Sequence, residues 1–332
     1  MLETPLCRIL GIEHPILSAG MGGATRAALA AAVSNAGGCG QVTISGLPAD
    51  GVRQRIAETR ALTDRPFAAN VILDTQKGHE VATAIEEAVP IIVLFWGDPA
   101  PYVEAAHRRG TKVIVQVGSV ADAVAAAEAG VDVVIAQGVE AGGHVMGTTP
   151  LFSLLPMVVE VISPVPVVAA GGIVDGRGMA AALSLGAQGV MMGTRFLGSD
   201  EAFVHPEYQR RLLAAGVDDT VYVRDLFDIL WPDAPHRVLR NACVDEWEAA
   251  GRPPPGERPG EGATLGVVVA GERSVEVLRY TSFTATPQFE GDFDQVPLWA
   301  GMSVGLVNDV RPAGEIVRDT VRQAAQILGE GE

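Results

Sequence analysis

The chain has 332 residues, 48% of them hydrophobic, with 24 Lys and Arg against 40 Asp and Glu for a formal net charge of −16. That is enough apolar material for one large core or two ordinary ones, and the acidic balance argues against nucleic acid or an anionic membrane surface as partner, since such affinity comes from neutralising phosphates. The start, MLETPLCRILGIEHPILSAG, has no basic segment followed by an apolar one, and no apolar run approaches the ~20 residues that span a bilayer, so the expected location is cytoplasmic.

In chain order, short apolar runs alternate with Ala-rich runs of helical period. The strand candidates are PILSAG (15–20), GCGQVTI (38–44), PFAANVIL (66–73), IIVLFWG (91–97), KVIVQVG (112–118), VDVVIAQG (131–138), VPVVAAGG (165–172) and GVMMGTRF (189–196). Between them lie helix candidates such as RAALAAAVSNAG, GVRQRIAETRAL, HEVATAIEEAV, YVEAAHRRG, VADAVAAAEAG, SLLPMVVEVI and GRGMAAALSLG, several closed by a glycine. Nearly continuous apolar strands alternating with helices imply a parallel sheet covered on its outer face. Eight such units favour a closed α/β barrel, the TIM (β/α)8 barrel, with a doubly wound open sheet as the alternative.

After Phe196 the rhythm breaks. HPEYQRRLLAAG, RDLFDILWP and HRVLRNACVDEWEAAG read as helical and charged, GRPPPGERPGEG as a loop, 264–290 as ambiguous, and AGEIVRDTVRQAAQIL (313–328) as an amphipathic helix able to return as the eighth outer helix. The expected organisation is a barrel from 1–199 and 291–332, with an inserted, mainly helical cap at 200–290 after the eighth strand. The three cysteines, Cys7, Cys39 and Cys243, are far apart and in no metal-ligand spacing, so neither a disulfide framework nor a metal site is expected.

In such a barrel, ligands sit at the C-terminal strand ends, and a phosphate often sits after the seventh and eighth. Those ends are AAGGI, with Gly171 and Gly172, and MMGTRF, with Met191, Met192, Gly193 and Thr194. Glycines let backbone approach a phosphate, and the threonine adds a hydroxyl. No Lys follows Gly142 and Gly147 in P-loop position, and GMGGAT lacks the third glycine of a dinucleotide fingerprint, so those two sites are disfavoured.

The sixth strand ends in QGVEAGGHVMGTTP, which sets Gln137, the pair Gly142–Gly143 and His144 on one loop. An imidazole there titrates near neutrality and can take or guide a proton. Glu140 is either its orienting partner or an exposed loop carboxylate. The remaining histidines read as structural or merely exposed. Asn70 and Gln116 are polar side chains inside apolar strands, each bonded either to the core or to a ligand ring, and Met21 and Gly22 at the end of the first strand are placed to lie against such a ring.

Together these segments resemble the nitronate monooxygenase family (2-nitropropane dioxygenase-like flavoproteins), which includes flavin-dependent enoyl-ACP reductases. The resemblance rests on HPILSAGMGG, LAAAVSNAGGCG, FAANVIL, AQGVEAGGH, the block VVAAGGIVDGRGMAAALSLGAQGVMMGTRF and LWAGMSVGLV. That block alone also resembles the phosphate loop of IMP dehydrogenases, but those enzymes require a cysteine in the loop after the sixth strand, and none occurs here between Cys39 and Cys243. The resemblance implies a TIM barrel that binds FMN, with contacts from Asn70, Gln137, Gly142, Gly172 and the run Met191 to Thr194, and with His144 as the catalytic histidine. It implies oxidation of alkyl nitronates by dioxygen to a carbonyl compound and nitrite. The alternative is a reductase of an enoyl thioester or quinone with NAD(P)H as electron donor. This chain has VMG where many relatives have Arg-Gly after the histidine, and Met302 where they have Gln; Met146 and Met302 are expected to make the pocket less polar, which suits a bulky apolar substrate. A homodimer is compatible with the Ala-rich outer helices.

Overall fold

A computed structural model describes residues 2–73, 78–271 and 273–330. The expected strands form as β1 (Ile16–Ser18), β2 (Gly40–Thr43), β3 (Phe67–Ile72), β4 (Ile91–Phe95), β5 (Lys112–Val117), β6 (Val133–Gln137), β8 (Val167–Ala170) and β9 (Gly189–Met192); β7 (Gly143–His144) is a two-residue strand outside this set. The eight are parallel in the order β1-β9-β8-β6-β5-β4-β3-β2. A parallel bridge between Leu17 and Cys39 joins β1 to β2, with the Cys39 N–H on Ile16 O at 2.8 Å and the Ser18 N–H on Cys39 O at 3.1 Å. The sheet is therefore a closed TIM barrel, not an open one.

Alternation along each strand divides the core in two. Leu17, Ala68, Val93, Ile114, Ile135, Val168 and Met191 point into the barrel, whose N-terminal end is plugged by Leu6, Cys7 and Leu10 of α1 (Pro5–Leu10). Ile16, Val42, Val71, Leu94, Val115, Val134, Ala169 and Met192 point outward. They meet α2 (Ala27–Asn35), α3 (Ala49–Arg60), α4 (His79–Glu86), α5 (Ala100–Arg108), α6 (Val120–Glu128), α7 (Leu151–Val161) and α8 (Gly176–Ser184). Caps fix where helices begin: Ser119 Oγ accepts the Asp122 N–H, and Asp175 accepts the N–H groups of Arg177 and Gly178. The eighth outer helix is α12 (Ala313–Leu328), which packs against α8 and α2.

After the short α9 (Thr194–Leu197) the chain departs from the expected, mainly helical cap. It forms α10 (Pro206–Ala214), β10 (Thr220–Val223), β11 (His236–Leu239), α11 (Ala242–Ala249), β12 (Thr264–Ala270), β13 (Arg273–Leu278) and β14 (Phe289–Gly291). RDLFDILWP is a run of bends and turns rather than a helix, and HRVL is a strand. Pro232 and Pro235 withhold amide donors and clash with a preceding helical turn, so tertiary pairing claims the residues around them: Ile229 bridges Thr281, and β11 pairs with both β10 and β7. The ambiguous 264–290 becomes an antiparallel sheet of order β13-β12-β14. No helix among the described residues is long and apolar enough to cross a membrane.

Leu6 is fully buried in the plug that closes the barrel floor. Leu6→Ala is expected to destabilise the fold by about 2–5 kcal/mol in urea titration, while leaving ligand binding at the opposite end unchanged.

Candidate active site

The C-terminal ends of the barrel strands open into a cavity of about 330 Å³, within the size range of small-molecule sites. Of the residues singled out from sequence, Met21, Gly22, Asn70, Gln116, Gln137, Gly142, Gly143, His144, Gly171, Gly172, Met191, Gly193 and Thr194 all line it. Met192 does not. Adjacent strand residues face opposite ways, so with Met191 inside, the Met192 side chain lies in the outer layer, and its carbonyl continues the ladder to β1 by accepting the Ala19 N–H at 2.9 Å.

Three amide side chains project from β3, β5 and β6. Asn70 and Gln116 are 7% and 8% exposed and make no side-chain hydrogen bond to any described residue, so their amides face the cavity without a protein partner. Sealing such amides under a ligand without partners would be costly, so a ligand with ring nitrogens and carbonyls to pair with them suits this wall. Gln137 is already engaged: Nε2 donates to His144 O at 2.9 Å and Oε1 accepts the Met146 N–H at 3.2 Å, which ties the loop to the strand that leads into it.

Gly171 and Gly172 take φ of +101° and +74°, a left-handed conformation that favours glycine. Their N–H groups and that of Gly193 have no acceptor among the described residues. Thr194 Oγ1 accepts the Gly301 N–H at 3.0 Å and keeps its own proton to donate. This donor set, at two neighbouring strand ends, has the chemistry of a phosphate cradle.

His144 is held by residues far away in sequence. β7 pairs antiparallel with β11, with His144 opposite His236, and the Val145 N–H donates to Pro235 O at 2.8 Å. The imidazole lies against Trp231 with ring centroids 3.8 Å apart and planes 31° apart, Trp299 follows at 5.1 Å and Trp96 at 6.4 Å edge-on. Its Nε2 is 3.4 Å from Ser282 Oγ. Burial among these rings, reinforced by His236, holds its pKa well below the usual 6.5. The expectation of titration near neutrality is thus corrected: His144 is a neutral imidazole at pH 7, able to accept a proton. His236 is a structural histidine, as expected, and fully buried; its Nε2 accepts the Phe227 N–H at 3.3 Å, so Nδ1 carries the proton, 2.9 Å from Ala234 O.

Glu140 neither orients His144 nor floats in solvent. Both its oxygens accept the N–H of Leu151, at 3.0 and 2.9 Å, at the first residue of α7, where a carboxylate also meets the positive end of the helix. Met146 and Met302 do not line the cavity, so the apolar wall has another origin. Trp231, Trp299, Phe283 and Phe95 supply it, and sequence reasoning singled out none of the four, nor Ser282. One signal was available: the chain has four tryptophans, and three of them surround His144. Among the described residues lining the cavity there is no Asp, Glu, Lys or Arg.

Residues 3–323 match the family model described as nitronate monooxygenase. The chain is 38% identical to a (3aS,4S,5R,7aS)-5-hydroxy-7a-methyl-1-oxo-octahydro-1H-indene-4-carboxyl-CoA dehydrogenase of Mycobacterium tuberculosis, over 76% of this chain and 70% of that one. It is 31% identical to a nitronate monooxygenase of Paraburkholderia phytofirmans, over 97% and 95%. Among solved structures it superposes on FabK from Thermotoga maritima with a TM-score of 0.80 and 33% identity, over 99% and 98% of the two chains.

Burial lowers the His236 pKa from 6.5 to about 4. Above pH 6.5 the ring is neutral in both folded and unfolded chains; as pH falls from 6.5 towards 4 only the unfolded chain takes the proton, so stability is lost across that window and levels off below it. Chemical unfolding at pH 7 and pH 4 is expected to differ by about 3 kcal/mol from this group, and His236→Gln is expected to flatten that part of the profile.

Proposed function

Since this chain belongs to the nitronate monooxygenase family of flavin-dependent oxidoreductases, we propose that it is an FMN enzyme acting on a neutral, apolar carbonyl substrate such as an enoyl thioester or quinone, with NAD(P)H as the electron donor. One observation carries this: a neutral imidazole set in a cavity whose described lining has aromatic walls and no charged side chain. An anionic nitronate beside His144 would meet neither a counter-charge nor the free backbone donors that lie at the glycine end of the cavity, which is costly in low dielectric.

The residues present fit FMN. The amides of Gly171, Gly172 and Gly193 with the Thr194 hydroxyl would hold the phosphate, and the Asn70 and Gln116 amides would meet the polar edge of the ring, with Met21 and Gly22 against it. Bound flavin supplies the transfer of a hydride or of single electrons. The protein supplies the rest. In the reduction proposed, the carbon beside the carbonyl gains a proton, which His144 Nε2 would take up from solvent and pass on, with Ser282 Oγ against that nitrogen at 3.4 Å. Trp231, Trp299 and Phe283 exclude water and give an apolar substrate a surface to bury.

The second reading is oxidation of alkyl nitronates by dioxygen, favoured by the match along nearly the whole chain to a relative named nitronate monooxygenase. In anaerobic stopped-flow mixing, rapid two-electron bleaching of the flavin by NADH or NADPH, and none by propionate-3-nitronate, is the expected outcome. Bleaching by the nitronate alone would reverse the ranking. His144→Ala is expected to retain FMN and lose roughly 10²- to 10⁴-fold in turnover. Because the wild-type ring is neutral well below pH 6.5, the turnover profile is expected to be flat from pH 6.5 to 8, with its acid limb displaced to lower pH.

A further inference from the structure

We propose that Arg26 and Arg55 form a phosphate-binding ledge beside the mouth of the cavity, which takes the nucleotide tail carried by a CoA thioester or a nicotinamide dinucleotide. The choice of ligand class rests on the function proposed above, whereas the location rests on the structure.

A seam runs outward from the cavity between the loop after β1 and the segment that follows β13. At its inner end Gly22 lies against Thr284, both lining the cavity; one step out, Gly23 lies against Thr286. At its outer end the Arg26 Nη2 donates to Gln288 Oε1 at 3.2 Å, and the guanidinium carbon lies over the Phe203 ring, 3.4 Å from its centroid. Phe203 is itself fixed by its N–H on Ala24 O at 3.0 Å. A stacked guanidinium presents its remaining donors edge-on, the geometry that receives a phosphate bidentately.

The charge at this point runs against the rest of the molecule. In a chain of net charge −16, most arginines sit on carboxylates, but Arg26 has none within 4 Å among the described residues. Its electrostatic neighbour is another cation: burial and then Arg55 lower the Arg26 pKa, with Glu58 the opposing influence. Arg55 spends Nη1 on Thr43 O at 3.4 Å and reaches Glu58 only at 3.8 Å. The two arginines meet through one corner of the fold: Arg55 bonds Thr43 O, and Thr43 is tied to Thr25, the residue before Arg26, by its N–H on Thr25 O at 3.2 Å and by the two hydroxyls at 2.7 Å. With Glu58 the one carboxylate on Arg55 among the described residues, that corner carries a local positive excess that an anion would relieve.

The test uses the FMN-loaded protein and tail fragments as probes: adenosine 3′,5′-bisphosphate for CoA, adenosine 2′,5′-bisphosphate for a phosphorylated dinucleotide, and ADP for the diphosphate alone, each by calorimetry. Wild type is expected to bind at least one of them, roughly tenfold more tightly than Arg26→Ala and Arg55→Gln, with affinity falling as salt rises. Preference between the two bisphosphates identifies the source of the tail. Tail-free partners, an N-acetylcysteamine thioester and 1-benzyl-1,4-dihydronicotinamide, are expected to react with both variants as with wild type. No binding of any fragment to wild type, or unchanged binding in both variants, overturns the ledge. If Arg26→Ala loses FMN or fold, Arg55→Gln decides alone. Arginine-dependent fragment binding in a protein whose flavin no thioester or nicotinamide reacts with would keep the ledge and remove the carbonyl function.

Discussion

The antiparallel pairing of His144 with His236, two residues long at β7, joins the loop after the sixth barrel strand to a segment inserted after the eighth. Without it QGVEAGGHVMGTTP would be a glycine-rich loop with freedom to wander, since Gly142 and Gly143 impose little on their neighbours. With it the loop is fixed from three sides. Gln137 holds it from the strand below, Glu140 ties it to the start of α7, and Arg237 of β11 donates to Val139 O from above. The imidazole thereby becomes a part of the barrel rim and no longer a loop side chain.

That same pairing sets the electrostatics. It carries the ring into a box of Trp231, Trp299 and Trp96, and burial there keeps it neutral. The segments bearing Trp231 and Ser282 are joined to one another, with the Ile229 N–H on Tyr280 O at 3.1 Å and the Ser282 N–H on Ile229 O at 2.8 Å. The backbone on either side of Trp231 is left-handed at non-glycine residues, with φ of +81° at Leu230 and +55° at Asp233. Conformations of this kind cost free energy and persist where surroundings enforce them; here they aim an indole at a histidine.

The barrel was legible because it is built on local period: apolar strands of three to six residues between helices announce themselves one unit at a time. The two glycine-bearing strand ends at the cavity were legible for a related reason, since glycines there declare a backbone conformation and an open approach. What escaped were features set by partners distant in sequence. Met192 was grouped with Met191 although a strand can turn only one of two neighbours inward. Met146 and Met302 were given the apolar character of a pocket that belongs to tryptophans and a phenylalanine of the insertion and its return. HRVL had enough charge around it to read as helical, yet the open edges of β10 and β7 claim it as a strand.

A barrel of this kind presents the same ring of strand ends to many chemistries, so substrate choice falls to what closes over it. In this chain the closing residues are aromatic and uncharged at the histidine and cationic only further out, where Arg26 lies on Phe203. Small anions find little to hold them beside His144, while a long substrate with an apolar reacting end and a charged far end matches both zones at once. The binding of its remote tail would contribute to positioning the carbon that reacts, with the imidazole kept free of competing charge.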